Sequence, residues 1–199
     1  MPNWCSTQIT FSGCDAAVLH DKIESWAYDA LDNGFGRHWL GNIAINSGLI
    51  TKEEINNTDL SLRGSIQYLS DVDDDRFILD QEDAWSPNVV VWKEIIEFFN
   101  YDVSFTFMAI EPGNGIYETN DPALIDYYYI DCYMDDGKYS YIDDLSSAAT
   151  LDFLRDILRE RNVEYDQEDC ISELVDRIDN LCESGSDYCS VHRYQFYEV

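Results

Sequence analysis

Between Cys5 and Ile110 the apolar periodicity switches from two residues to about 3.6 and back, and this switching constrains the fold more than any other feature of the chain. Cys5, Thr7, Ile9 and Phe11 alternate onto one face, which predicts a strand closed by Gly13. Ala16 to Leu31 then places Leu19, Ile23, Trp26, Ala27 and Ala30 at spacings of three and four, the pattern of an amphipathic helix, with Asn33 and Gly34 as its stop. Ser65 to Leu69 and Arg76 to Leu79 read as strands on either side of the acidic turn "SDVDDD". Ser86 as N-cap and Pro87 at the first helical position predict a second helix, whose buried stripe is Trp92, Ile95, Ile96 and Phe99. Val103 to Ile110 is a further strand.

The resulting order, β-α-β-β-α-β, is the ferredoxin-like one, and it predicts an α+β protein with an antiparallel sheet and helices on one face. Residues 35–62 are glycine-punctuated and weakly patterned, so they read as an excursion from the sheet, with Thr51 and Glu54 as a capping box for a short helix. After the glycine turn "EPGNG" and a short extended piece at Ile116 to Thr119, Tyr127 to Met134 and Tyr139 to Ile142 form a hairpin around Asp-Gly. Beyond it the period becomes helical: Leu151, Leu154 and Leu158, then Ile171, Leu174, Val175, Ile178 and Leu181, predict an antiparallel helical pair before a last strand. The expected division is a core over residues 1–145 and a helical extension over 146–199, packed on the same body through Leu154, Leu158, Leu174 and Ile178.

Acids outnumber bases 40 to 12, a net charge of −28, while 45% of the residues are hydrophobic, too many for a disordered acidic tail. Such a field repels nucleic acid and anionic lipid, so the expected partner is a protein with a basic surface, with neither nucleic acid nor membrane bound directly. The N-terminus lacks a basic and hydrophobic leader pattern and no long uncharged apolar run occurs, so the expected location is the cytoplasm. The six scattered cysteines contain no C-x-x-C pair and read as reduced thiols rather than a disulfide scaffold.

The opening "MPNWCSTQITFSG", the later "FILDQEDAWSPN", the helix ending "EFFN" and the strand and turn "VSFTFMAIEPGNG" together resemble the YubB-type ferredoxin-like proteins of bacterial plasmids and phages. The matched pieces, Met1 to Gly13 and Phe77 to Gly115, cover with the intervening helix roughly the first 60% of the chain. The resemblance implies a ferredoxin-like fold and a mobile-element origin, and carries no activity or catalytic set. The acidity, the excursion and the C-terminal helices have no counterpart in the family pattern.

Several constellations could carry chemistry. Asp71, Asp73 and Asp75 stand at positions one, three and five of a calcium loop that Glu82 would close at position twelve, although Arg76 occupies the place of the sharp-turn glycine. A solvated hairpin turn explains the same residues. A zinc site would need one of His20, His38 and His192 to meet Cys182 and Cys189, or carboxylates, in space. Glu111 and Glu118 flank "PGNG", where Trp85 and Ser86 could approach and a small ligand could sit, though turn and helix chemistry accounts for these residues equally well. The run "DYYYIDCYMDDGKYSYIDD" offers tyrosines beside carboxylates, and Tyr128, Tyr133, Asp135, Asp136, Tyr139 and Tyr141 form the candidate protein interface. In a strand, either Tyr128, Ile130 and Cys132 face inward or the opposite set does, and the rings either build an interface or complete the core and its margin.

The expected function is an acidic protein-binding module of a phage or mobile element, an inhibitor of a host defence or nucleic-acid-handling protein that occupies a cationic site. A metal-assisted or small-ligand enzyme and a structural or accessory phage protein are the alternatives. No nucleophile motif or cofactor loop is present, so no catalytic residue and no cofactor is assigned.

Overall fold

The computed structural model describes residues 3–134, 140–182 and 187–199. The chain is an α+β protein whose contacts divide it into two units, residues 1–121 with the terminal Tyr197–Val199, and residues 122–196.

Unit 1 contains β1 (Trp4–Ser12), α1 (Ala16–Glu24), α2 (Leu40–Asn46), β2 (Gly64–Leu69), β3 (Arg76–Ala84), α3 (Val90–Phe99), β4 (Ser104–Glu111) and β5 (Ile116–Thr119). Its strands run antiparallel in the order β2-β3-β1-β4-β5, so the first four strands take the ferredoxin-like arrangement. β1 is central and buries one face along its length: Cys5, Ile9 and Phe11 are fully buried with Thr7 between them, while Ser6 and Gln8 on the other face are exposed. Phe11 stacks on Phe77 at 4.7 Å between ring centroids and meets the edge of Trp92 at 5.8 Å, joining two strands to α3. Helix α1 buries Leu19 and Ile23, then widens into a π turn over Ser25–Asp29 that keeps Trp26 and Ala27 in the core.

The start of α3 differs from the sequence expectation. Trp85 and Ser86 lie in a bend, Pro87 and Asn88 are irregular, and the helix begins at Val90, because the buried Asp83 carboxylate takes the Asn88 N–H at 3.1 Å and Trp85 turns the chain with φ +77°. The capping box at Thr51 forms only in part. Glu54 accepts from the Thr51 N–H at 2.8 Å, but residues 52–57 are turns, and the excursion's helix is α2, where periodicity is weak.

Unit 2 contains β6 (Tyr127–Tyr133), β7 (Ser140–Ser146), α4 (Ser147–Glu160), α5 (Ile171–Cys182) and β8 (Tyr188–Arg193). Its three-stranded antiparallel sheet has β6 between β7 and β8. Ser146 caps α4 through the Ala149 N–H. Ile130 and Cys132 of β6 share a core with Leu154, Ile157, Leu158, Leu174 and Ile178 of the helices. Contacts therefore divide at Asp121/Pro122 rather than at the expected 145/146: the hairpin supplies the surface on which the helical pair packs, and belongs with it. The last three residues join unit 1, where the Tyr197 N–H donates to the Thr119 carbonyl at 2.8 Å.

Candidate functional site

The excursion between α1 and β2 holds a pocket of about 640 Å³, lined by Phe35, Trp39, Ile55, Leu60, Leu62 and Arg63. Side-chain amides tie the start of this loop to α2. Asn33 donates through Nδ2 to Oδ1 of both Asn42 (3.0 Å) and Asn46 (2.9 Å), and Asn42, fully buried, donates in turn to the Arg37 carbonyl. Asp32 Oδ1 gathers the N–H groups of Gly34, Phe35 and Gly36, and these backbone bonds hold its carboxyl below the usual range. Gly34 (φ +99°) and Gly36 (φ +91°) supply the left-handed backbone this turn requires, and a Cβ at Gly36 would lie 2.7 Å from the Trp39 ring.

The pocket is tied to the sheet edge through β2. Ile66 donates to the His38 carbonyl at 2.9 Å, and the Arg63 carbonyl accepts from Ala84 N and from Asn88 Nδ2. Beside that anchor lies a buried polar chain: Asp83 Oδ2 accepts from Thr7 Oγ1 (2.9 Å), Gln81 Nε2 (2.7 Å) and Asn88 N, while Gln81 Oε1 accepts the Trp92 indole N–H at 2.8 Å. Three donors favour the carboxylate, but desolvation outweighs them and pushes the Asp83 carboxyl up. Gly64 is required here, since a Cβ would sit 2.1 Å from Asp83 Oδ1.

Charge distinguishes this region from the rest of the chain. Residues 30–63, between the π turn and β2, contain four acids, Asp32, Glu53, Glu54 and Asp59, and three bases, Arg37, Lys52 and Arg63, so 3 − 4 = −1 in a protein of net −28. Among the described residues the Arg63 guanidinium makes no hydrogen bond or ion pair.

Comparison with protein-family models, curated proteins and solved structures found no match. The assignment of chemistry therefore rests on geometry.

The residues singled out from the sequence are distributed differently from expectation. Asp71, Asp73 and Asp75 lie in the β2–β3 turn, where Asp73 and Arg76 exchange both backbone bonds and Asp74 and Asp75 have φ of 46° and 56°, a tight type I′ reversal. Glu82 is seven residues further along β3, opposite Ser6 and Ser65, so at about 3.3 Å per residue it stands some 20 Å from the turn and closes no calcium loop. The cysteine form of the zinc reading fails for a similar reason. Cys182, Cys189 and His192 border one small pocket, but Cys189 and His192 project from opposite faces of β8. Among the described residues the His, Cys, Asp and Glu group whose donor atoms converge is His20, Asp21 and Glu24.

Glu111 caps its own turn, accepting from Gly113 N and Asn114 N, which commits the carboxylate to structure. Trp85 does approach that turn: its N–H donates to the Asn3 carbonyl at 3.0 Å, and the Asn3 side chain lies against Gly113. Glu118 stands apart on β5, opposite Ala109.

Of the tyrosine set, Tyr128 and Tyr141 lie on the helix-covered face of the second sheet, Tyr141 against the Phe153 ring at 5.2 Å. Tyr133 lies on the helix-free face and stacks on Tyr188, a residue the interface reading omitted, at 6.3 Å. Asp135, Asp136 and Tyr139 lie outside the described residues. The excursion pocket and Tyr188 were both missed because neither produces a local motif. The one available signal was the nearly balanced charge of residues 30–63.

Proposed function

We propose that the protein binds a small organic anion with an aromatic or apolar body in the excursion pocket of unit 1. The observation that carries this reading is the pocket itself: its volume of about 640 Å³ falls in the range of small-molecule sites, roughly 300–1,000 Å³, and its walls are apolar with one cation at the border. Phe35 and Trp39 offer ring faces, and the unpaired Arg63 guanidinium matches a carboxylate, sulfonate or phosphate. Elsewhere the acidic field repels an anion more strongly, so the nearly neutral excursion is where one can be held.

The test uses 8-anilinonaphthalene-1-sulfonate, which has this chemistry and brightens when desolvated. Saturable one-to-one binding is expected, with quenching of tryptophan emission from Trp39. Arg63→Glu should weaken it by about fivefold or more, the scale of reversing one exposed charge contact of about 1 kcal/mol. Unchanged affinity in R63E, or multiple weak sites in the wild type, sinks the reading.

A second reading has its own supporting observation. On the helix-free face of the second sheet Tyr133 and Tyr188 stack while remaining 37% and 46% exposed, Ile142 is 65% exposed, and Asp131 accepts from the Tyr188 hydroxyl at 2.9 Å. Exposed rings beside carboxylates suit a protein partner with a basic surface, the partner expected of an acidic inhibitor from a phage or mobile element. Pulldown from a lysate of the natural host separates the two readings. I142D/Y188A should recover at least fivefold less partner than the wild type, while D176K/D179K on α5, which changes net charge more, should recover a similar amount. Equal losses would leave only long-range attraction, and the absence of any partner would reject this second reading.

A further inference from the structure

Helix α1 carries a side-chain group that the pocket does not use. His20 is nine-tenths buried, its ring set edge-on against Phe77 at 5.3 Å, and Nε2 lies 3.0 Å from the carbonyl oxygen of Ser70 in the β2–β3 connection. A carbonyl only accepts, so the proton of the neutral ring is on Nε2 and the lone pair is on Nδ1. Nδ1 stands 3.6 Å from Asp21 Oδ1, beyond a normal hydrogen bond, and His20 forms no hydrogen bond there. One carboxylate oxygen of Glu24, one helical turn further on, completes a set of donor atoms that all lie within 4.8 Å of one another.

We propose that His20 Nδ1 and the carboxylates of Asp21 and Glu24 bind a divalent ion of the zinc class. Two ligands of a tetrahedral ion at bond lengths of about 2.0–2.2 Å lie about 3.3–3.6 Å apart, so the His20 to Asp21 separation suits an ion between them better than a hydrogen bond. An imidazole nitrogen with two carboxylates selects a borderline transition ion over calcium or magnesium, which prefer oxygen ligands. The Ser70 carbonyl performs the outer-shell task common to metal-bound histidines, fixing the tautomer and orientation of the ring. Phe77 restrains the same ring from the core side. Asp21 and Glu24 are exposed, so the ion enters from solvent, and three protein ligands leave its remaining position to water. The site lies on α1 and is independent of the small-anion reading of the pocket.

The full chain, freed of metal by chelator, is titrated with Zn²⁺ at pH 7.5 while the histidine ring nitrogens are followed by NMR. One saturable equivalent is expected. His20 Nδ1 should shift on binding while the Nε2 proton is retained, and Glu24→Gln should weaken affinity by tenfold or more. His20→Gln should do the same, and because Glu24 is exposed, E24Q keeps the test valid even if H20Q unfolds. Asp73→Asn, which removes a carboxylate of the acidic turn, should leave the affinity unchanged. Equal affinity in wild type and E24Q, or zinc uptake with His20 Nδ1 unmoved, means an adventitious ion only and overturns the proposal.

Discussion

Replacing Trp92 with alanine is expected to destabilise unit 1 by about 3–5 kcal/mol, the range for truncating a fully buried large aromatic. Trp92 has no exposed surface, packs near-perpendicular to the Phe11 ring, and donates its indole N–H to Gln81 Oε1. Truncation therefore opens a cavity at the centre of the helix-to-sheet contact and leaves a buried acceptor without its donor, a further cost of about 1–3 kcal/mol where no water replaces it. Trp92→Phe helps to separate the two effects, because it loses the N–H and part of the indole but still fills most of the cavity that alanine would leave. Its loss should be clearly smaller than that of W92A. All five tryptophans precede residue 93, so tryptophan emission during urea unfolding reports on unit 1. A change under about 1 kcal/mol for W92A would show that the pocket's supporting framework does not depend on this residue.

Leu174→Ala should cost unit 2 about 2–5 kcal/mol, measured by urea unfolding followed in the far ultraviolet. Leu174 is fully buried on α5 in the cluster that joins Leu154 and Leu158 of α4 to Ile130 and Cys132 of β6. The three-stranded sheet is too small to stand without the helices on its face, so a cavity at their junction weakens both layers. Leu181 on the same helix is a control, being 37% exposed, and L181A should change stability by under about 0.5 kcal/mol. Equal and small effects of L174A and L181A would mean that the helical pair is a loosely held surface element.

The elements legible in the sequence are those whose pattern is local and repeated. The alternation of Cys5, Thr7, Ile9 and Phe11 predicts a strand, and that face of β1 is buried along its length, with Thr7 its one polar member. The stripes of α3, α4 and α5 likewise recur at helical spacing, so burial of one side follows wherever a partner surface exists. The β-α-β-β-α-β order, and with it the antiparallel ferredoxin-like sheet, was readable for the same reason. Helix α2 was not, since "LGNIAIN" has little amphipathic pattern and is fastened by Asn33, Asn42 and Asn46, whose amides meet only after the loop closes. The start of α3 moved from Ser86 to Val90 because a residue three positions upstream, Asp83, captured the Asn88 N–H, and a buried carboxylate outcompetes an exposed hydroxyl for a donor.

The sites follow the same division. Carboxylates at calcium-loop spacing were visible in the sequence, but a strand is extended, so register carried Glu82 away from Asp71, Asp73 and Asp75. His20 was visible only as an isolated histidine on a helix. Its neighbours Asp21 and Glu24 are local, whereas the Ser70 carbonyl that sets its tautomer comes from a connection fifty residues later. The sequence by itself therefore determined which segments become strands and helices and which faces must be buried, because those properties depend on neighbours within a turn or two. Tertiary structure alone decided the pocket behind Arg63, the grouping of the hairpin with the helical pair, and which donor atoms converge, because each requires side chains distant in sequence to share one small volume.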